Sequence, residues 1–270
     1  MYRPASLPLR AAYLSFGVAC YTAFQATILY AIGFVGNSWS VLGHDSALRS
    51  MDQGATSEPT WLALAIDALL IALFGLQHSC MARPRFKAWW TRIVPAEIER
   101  STYVLAASAC LALLFWQWRP LVGAELWHVS HGPLAIAWAV LAAIGWGIAF
   151  ASTFMLDHLD LFGLRQVWYA FRGRPYPSLG FATPGLYRAV RHPIYLGFLI
   201  AFWATPVMTV GRLVFAGGMT IYVLTAIRFE ERDLMQRYGA AYGRYRARVR
   251  MLLPLPTPRE PRDSQAHGRV

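Results

Sequence analysis

Pro133 to Leu156 reads PLAIAWAVLAAIGWGIAFASTFML, without a single Asp, Glu, Lys or Arg. A bilayer core about 30 Å thick takes roughly 20 apolar residues in a helix to cross. The stretch predicts a membrane span, and others like it lie on both sides. Ala11 to Gly43 carries no acid or base and is far longer than a signal-peptide core, so it reads as a retained span. Pro59 to Met81 holds only Asp67 and His78, and Ser101 to Trp118 is uncharged. From Pro193 the chain is uncharged to Gly211, meets Arg212, and is uncharged again from Leu213 to Ile227. Thr205-Pro206 and Thr209 to Gly211 mark a tight turn between those two halves, which makes them a helical hairpin. The fold class expected is all-α: a polytopic integral membrane bundle of five or six transmembrane helices, five if the hairpin is shallow.

Composition agrees. Of 270 residues, 56% are hydrophobic and only 14% charged, against roughly 25% charged in soluble chains. Mean hydropathy is +0.36. The net charge of +11 is not gathered into a basic stripe, so nucleic acid is not an expected partner. It follows the loops instead. Of the 25 Lys and Arg, all but Arg49, Arg119 and Arg212 fall on one side of the alternating spans, which makes that side cytoplasmic and places both termini there. Cys20, Cys80 and Cys110 sit in apolar runs with no CxxC or Cys/His pairing, which indicates neither a disulfide scaffold nor a zinc site. Residues 255–270 are proline-rich and polar, and read as a disordered tail after a single domain over 1–254.

Four polar groups at or inside the spans carry the chemistry. Thr183-Pro-Gly-Leu-Tyr-Arg-Ala-Val-Arg-His-Pro-Ile-Tyr-Leu-Gly197 gathers Arg188, Arg191 and His192 at a helix start, where free N-H groups favour a carboxylate. The same arginines also suit the charge rule for cytoplasmic loops. Glu230-Glu231 ends the last span. Its repulsion is offset either locally, by Arg228 and by Arg237 near Asp233, or by a bound cationic group. Asp157-His158-Leu-Asp160 closes the fourth span: His158 suits a general base oriented by Asp157 or Asp160, or simply a histidine against a helix C-terminus. As metal ligands the segment is too sparse, and no metal is expected. Asp67 and His78 share one face of span two, roughly 16 Å apart, too far to touch. Ionisable groups inside a span face a cavity or a partner, with Gln77-His78 nearer the cytoplasm.

Arg191-His-Pro-Ile-Tyr-Leu-Gly197, the Glu230-Glu231 pair and the following Tyr-Gly-x-x-Tyr-x-x-Tyr together resemble the integral-membrane methyltransferases that act on isoprenylcysteine carboxylates and phospholipids. That resemblance covers 183–254. It implies S-adenosylmethionine bound at the cytosolic face by Arg191, His192, Pro193, Tyr195, Gly197, Glu230 and Glu231. Leu29-Tyr-Ala-Ile-Gly-Phe-Val-Gly, Gln77-His-Ser-Cys-Met-Ala-Arg-Pro, Ile98-Glu-Arg-Ser-Thr-Tyr, Phe115-Trp-Gln-Trp-Arg-Pro and Asp157-His-Leu-Asp-Leu-Phe-Gly-Leu-Arg-Gln-Val-Trp extend it from about Tyr13 to Pro254. Over that length the chain is similar to the bacterial methanethiol S-methyltransferases, with Asp157 standing where such proteins commonly carry Asn.

The resemblance implies methylation of methanethiol to dimethyl sulfide in a bacterial cytoplasmic membrane, with a small thiol and membrane lipids as partners and no obligate protein partner. Such a transfer is an in-line displacement by a thiolate, so it needs a base or a positive field. His158 and His78, with Asp160, are the catalytic candidates, and Gln77 and Asp157 the candidates for the substrate pocket. A prenylcysteine carboxylate, a lipid amine or another small thiol is the alternative acceptor. A haem carrier or a transporter is the alternative of another class.

Overall fold

The computed structural model describes residues 4–39, 48–54, 58–121, 123–129, 131–177 and 179–254. The tail expected over 255–270 lies outside them. In chain order the elements are α1 (Leu7–Val35), α2 (Thr60–Ala82), α3 (Pro84–Trp90), α4 (Glu99–Gln117), β1 (Glu125–His128) and α5 (Pro133–Leu156). There follow α6 (His158–Leu161), α7 (Leu164–Phe171), a 3-10 turn (Gly185–Arg188), α8 (Pro193–Trp203), β2 (Val207–Thr209), α9 (Val210–Tyr238) and α10 (Ala240–Arg248). Among the described residues, α1, α2, α5 and α9 are long and apolar enough to cross a membrane. Long uncharged runs become helices there because a helix satisfies its own backbone groups where no water can. Prolines sit in the first turn of α1, α3, α5 and α8, where a missing N-H costs nothing.

α4 supplies a further 19-residue helix. The hairpin expected from Pro193 is present, but unequal. α8 has 11 residues, about 16 Å of helix, or half a bilayer core. Thr205-Pro206 stops it, because the residue before a proline is pushed out of the helical region. The chain then forms β2, which pairs antiparallel with β1, and Thr209 caps α9 by accepting from the Arg212 N-H. This small ribbon was not expected from the sequence: its strands are four and three residues long, too short for an alternating pattern to register.

α8 lies along α5 at a crossing of small residues. A Cβ on Gly197 would come within 2.5 Å of the Ala149 nitrogen, and one on Gly145 within 2.6 Å of the Ala201 nitrogen. Gly145 and Ala149 on one helix thus face Gly197 and Ala201 on the other, four residues apart in each case. Small residues at this spacing let backbones approach where lipid provides no hydrophobic drive.

At the β-ribbon end, Asp52 accepts hydrogen bonds from Asn37 (2.6 Å), Thr209 (2.7 Å) and the Arg212 Nε (2.6 Å). Arg212 also donates to Thr205 at 2.7 Å. Nearby, the carboxylate of Asp67, fully buried on α2, accepts from the Arg119 backbone N-H at 2.9 Å. That hydrogen bond engages one oxygen of the acid the sequence left inside a span, and the other has no hydrogen bond among the described residues.

Candidate active site

The helices enclose a cavity of about 850 Å³. Its wall takes one stripe from each of α1, α2, α4, α5, α8 and α9, and its character changes from end to end. Along α4 the lining runs from Arg100 and Tyr103 through Val104, Ala107 and Leu111 to Phe115. Along α9 it runs the other way, from Phe215 and Met219 through Tyr222 to Glu230 and Arg237. The two helices are antiparallel, so the polar residues of both gather at one end. That end adjoins the loops rich in arginine.

The Glu230-Glu231 pair lies within α9, which continues to Tyr238. Successive residues of a helix point about 100° apart, and the two carboxylates diverge. Glu231 turns away from the cavity and is only 9% exposed. It accepts from Arg191 Nε at 2.7 Å and His192 Nε2 at 3.1 Å, and its other oxygen lies 3.2 Å from Arg246 Nε. Glu230 turns toward the cavity, accepts from the Tyr195 hydroxyl at 3.0 Å, and keeps a side chain 42% exposed. Arg191 also donates to the carbonyls of Arg246 and Val249, and the backbone N-H groups of Arg191 and His192 bond to Arg250 and Met251. Arg191 and Glu231 therefore fasten the start of α8 to the end of α10, while Glu230, His192 and Tyr195 line the cavity. The carboxylates are not offset by Arg228 and Arg237 as helix spacing had allowed. Distant elements offset them, and Asp233 too is paired from another helix, by Arg83 at 2.9 Å.

Two further histidines line the same cavity, each joined to a tyrosine. His158 is 5% exposed, in the short α6. Thr153 donates its own hydroxyl proton to the Phe150 carbonyl, so at 2.8 Å from His158 Nδ1 it must accept. That fixes the tautomer: Nδ1 carries the proton, and Nε2 accepts from the Tyr21 hydroxyl at 2.8 Å. Burial pushes the imidazole below its usual pKa and the Asp157 carboxylate partly opposes this, so His158 is neutral at pH 7. Asp157 and Asp160 do not hold this ring, contrary to expectation. Asp157 occupies a positive-φ turn (φ 102°), caps α6 and pairs with Arg165. Asp160 accepts from Gln166 and Tyr176. A left-handed backbone admits Asp or Asn more readily than other residues with a Cβ, which explains the residue type found there.

On the opposite wall, His78 Nε2 lies 2.6 Å from the Tyr103 hydroxyl, and its Nδ1 is buried without a hydrogen bond among the described residues. Gln77 points elsewhere and donates to the Met81 sulfur. Pro193 is buried at the first turn of α8, and Gly197 belongs to the helix crossing.

The sequence reading passed over the cations at the cavity mouth, Arg83, Lys87, Arg100 and Arg237. Lys87 makes no ion pair among the described residues. Burial and the neighbouring Arg100 pull its ammonium below the ordinary lysine pKa, with Glu99 opposing. It is the sole lysine in a chain that otherwise uses arginine, and that was a legible signal. Tyr21 and Thr153 gave none, since their partner is brought to them only by the fold. Among the described residues no group of three or more His, Cys, Asp or Glu is placed to hold a metal.

A mouth with Lys87, Arg100 and Arg237 in no ion pair among the described residues, the half-exposed Glu230 carboxylate, and the Tyr187 hydroxyl buried without a hydrogen bond among the described residues suits a zwitterionic ligand. The family model described as "Protein of unknown function (DUF1295)" matches residues 98–249. Methanethiol S-methyltransferase 2 of Bradyrhizobium diazoefficiens is 50% identical over 249 residues, 91% of this chain and 91% of that protein. Methanethiol S-methyltransferase of Mycobacterium tuberculosis is 49% identical over 241 residues, 89% of this chain and 95% of that protein. Its counterpart in Crocosphaera subtropica is 48% identical over 241 residues, 89% of this chain and 91% of that protein. No solved structure matches.

Proposed function

The chain belongs to the DUF1295 family and to the methanethiol S-methyltransferases, and from that premise we propose that it methylates methanethiol to dimethyl sulfide with S-adenosylmethionine as donor. The observation that carries the reading is a cavity with an ionic, two-signed mouth leading to His78 and His158. Glu230 and the faces of Tyr195 and Tyr222 suit the donor's ammonium and sulfonium, and Lys87, Arg100 and Arg237 suit its carboxylate. When bound, the donor supplies an electrophilic methyl group. His192 lies between the two glutamates, and the Arg191–Glu231 pair holds it there.

The nucleophile is a thiolate, so the thiol proton must leave. His158 Nε2 takes it once the Tyr21 hydroxyl gives way to the thiol, because Thr153 fixes that nitrogen as the acceptor and burial favours its unprotonated form. His78 holds the Tyr103 hydroxyl at the opposite wall and acts as a positioning residue. Arg83 and Arg100 supply the positive field that favours the thiolate. With the donor held by Glu230, Tyr195, Tyr222, Lys87, Arg100 and Arg237, its methyl carbon would be open to in-line attack by that thiolate, the electron pair of the broken bond staying on the donor's own sulfur. The apolar wall keeps water from competing.

The distribution of Lys and Arg supports a mouth and both termini on the cytoplasmic face of a bacterial inner membrane, with α4 as a further span and the α8–α9 hairpin crossing out and back. Residues 183–254 supply Tyr195, Tyr222, Glu230 and Arg237 to the donor site, and Lys87 and Arg100 complete it. Purified protein incubated with methyl-labelled S-adenosylmethionine and methanethiol is expected to release labelled dimethyl sulfide. Binding of the labelled donor is expected to vanish in Glu230→Gln and persist in His158→Ala, which loses turnover. Absence of labelled sulfide from a preparation that binds the donor refutes the acceptor, and full turnover by His158→Ala refutes the base.

A further inference from the structure

The cavity is much larger than methanethiol, a molecule of one carbon and one sulfur. About 850 Å³ is space of the size that holds whole drug-like ligands. Its reactive groups, Glu230, Tyr103, His78 and His158, occupy only one end. From Arg100 to Phe115 the α4 lining covers about 22 Å of helix, and past Tyr103 its larger side chains are apolar. The deep end is walled by Ile28, Val35, Leu111, Phe115, Phe202 and Phe215.

A zwitterionic donor does not enter that region, because an unpaired charge buried among hydrocarbon is costly. A lipid headgroup finds no partner there either. The nearest cation on α9, Arg212, is one turn before Phe215 and is spent on Asp52 and Thr205. What fits is an uncharged apolar tail whose reactive group reaches the polar end.

Building on the proposed methyl transfer, we propose that this protein also S-methylates thiols with longer alkyl chains, with the tail lying along α4 in the deep apolar section. The chemistry balances as for the small thiol. The S–H proton goes to His158, the thiolate sulfur bonds to the methyl carbon of the sulfonium donor, and the donor's carbon–sulfur bond breaks with its electron pair going to the leaving sulfur. The product is a methyl alkyl sulfide.

Each buried methylene is worth about fourfold in transition-state binding, so kcat/KM is expected to climb from methanethiol through 1-butanethiol to 1-hexanethiol. In Leu111→Trp, which fills the middle of the deep section, that climb is expected to disappear while methanethiol turnover stays near wild type. Leu111→Phe, a milder filling, is expected to fall between. The donor's affinity, read by equilibrium binding of labelled S-adenosylmethionine, should be unchanged in both. If methanethiol is methylated but kcat/KM falls with chain length, this inference is overturned and the methanethiol reading stands. If no thiol is methylated by a protein that binds the donor, both fall. Longer thiols that are inert alongside a stoichiometric copurified phospholipid overturn it in favour of a cavity filled by lipid.

Discussion

Buried or half-buried charge occurs at both ends of the bundle, and the two ends use it differently. At the β-ribbon end every charge near α9 is spent. Asp52 has three donors, and Arg212 serves Asp52 and Thr205. At the cavity end, spent and unspent charges stand side by side: Glu231 is engaged by Arg191, His192 and Arg246, while its neighbour Glu230 faces the cavity with one tyrosine, and Lys87 has no ion partner among the described residues. Charges satisfied from within fix the fold. Those left open in a cavity are available to a ligand.

The largest effect belongs to the spent end. Asp52→Ala leaves the Arg212 guanidinium buried without its carboxylate, and is expected to cost about 3–5 kcal/mol of stability. Thermal unfolding in detergent micelles reads this, and a loss below 1 kcal/mol would show that end to be as open as the other. Gly197→Leu comes next. Its side chain meets α5 backbone at 2.5 Å, so a loss of about 1–3 kcal/mol is expected. The α8 start should shift with it, weakening donor binding as well. Gly197→Ala with unchanged stability and unchanged binding would mean that the two helices part easily.

Glu230→Gln inverts the pattern, with stability expected to change by no more than about 0.5 kcal/mol while labelled donor binding is lost. A large stability loss instead would move Glu230 into the class of Glu231. The smallest effect concerns pH. His158 is held below its ordinary pKa of about 6.5, so its neutral, accepting form persists as pH falls through 6.5 and is lost only below it. The acid limb of kcat/KM should therefore lie below that value. Because Asp157 raises the His158 pKa, Asp157→Asn should move the limb further down. Folding stability shows the same sign: the unfolded chain takes up the proton first, so this contribution is complete above 6.5 and declines as pH falls toward the folded value. A limb that rises in Asp157→Asn contradicts the assignment.

Much of this architecture was legible before any coordinates. The uncharged runs became α2, α4 and α5 near their expected bounds, while α1 stops at Val35, short of Gly43, and α9 runs on from Ile227 to Tyr238; Thr205-Pro206 marked the turn where α8 stops. The length of α8 was harder to read, because its apolar run continues through the turn into α9. The β-ribbon escaped notice for want of length. Within the site, His78, His158, His192, Tyr195 and Glu230 were named and do line one cavity. Arg191, Glu231 and Gly197 were named with them and hold the surrounding structure, a distinction that a motif does not encode.

The sequence by itself determined the solvent this protein folds in, because uncharged runs of span length leave no soluble alternative, and it marked the segments that carry polar chemistry. Which polar groups are free was decided only by the tertiary structure. Two adjacent glutamates look alike in sequence. One helical step turns them about 100° apart, and Arg191, forty residues before the second, reaches only that one. In the same way, the hydroxyl that meets His158 Nε2 comes from Tyr21, 137 residues away. Hydrogen bonds act over about 3 Å of space whatever the separation along the chain, so the choice between a spent and an available group belongs to the fold.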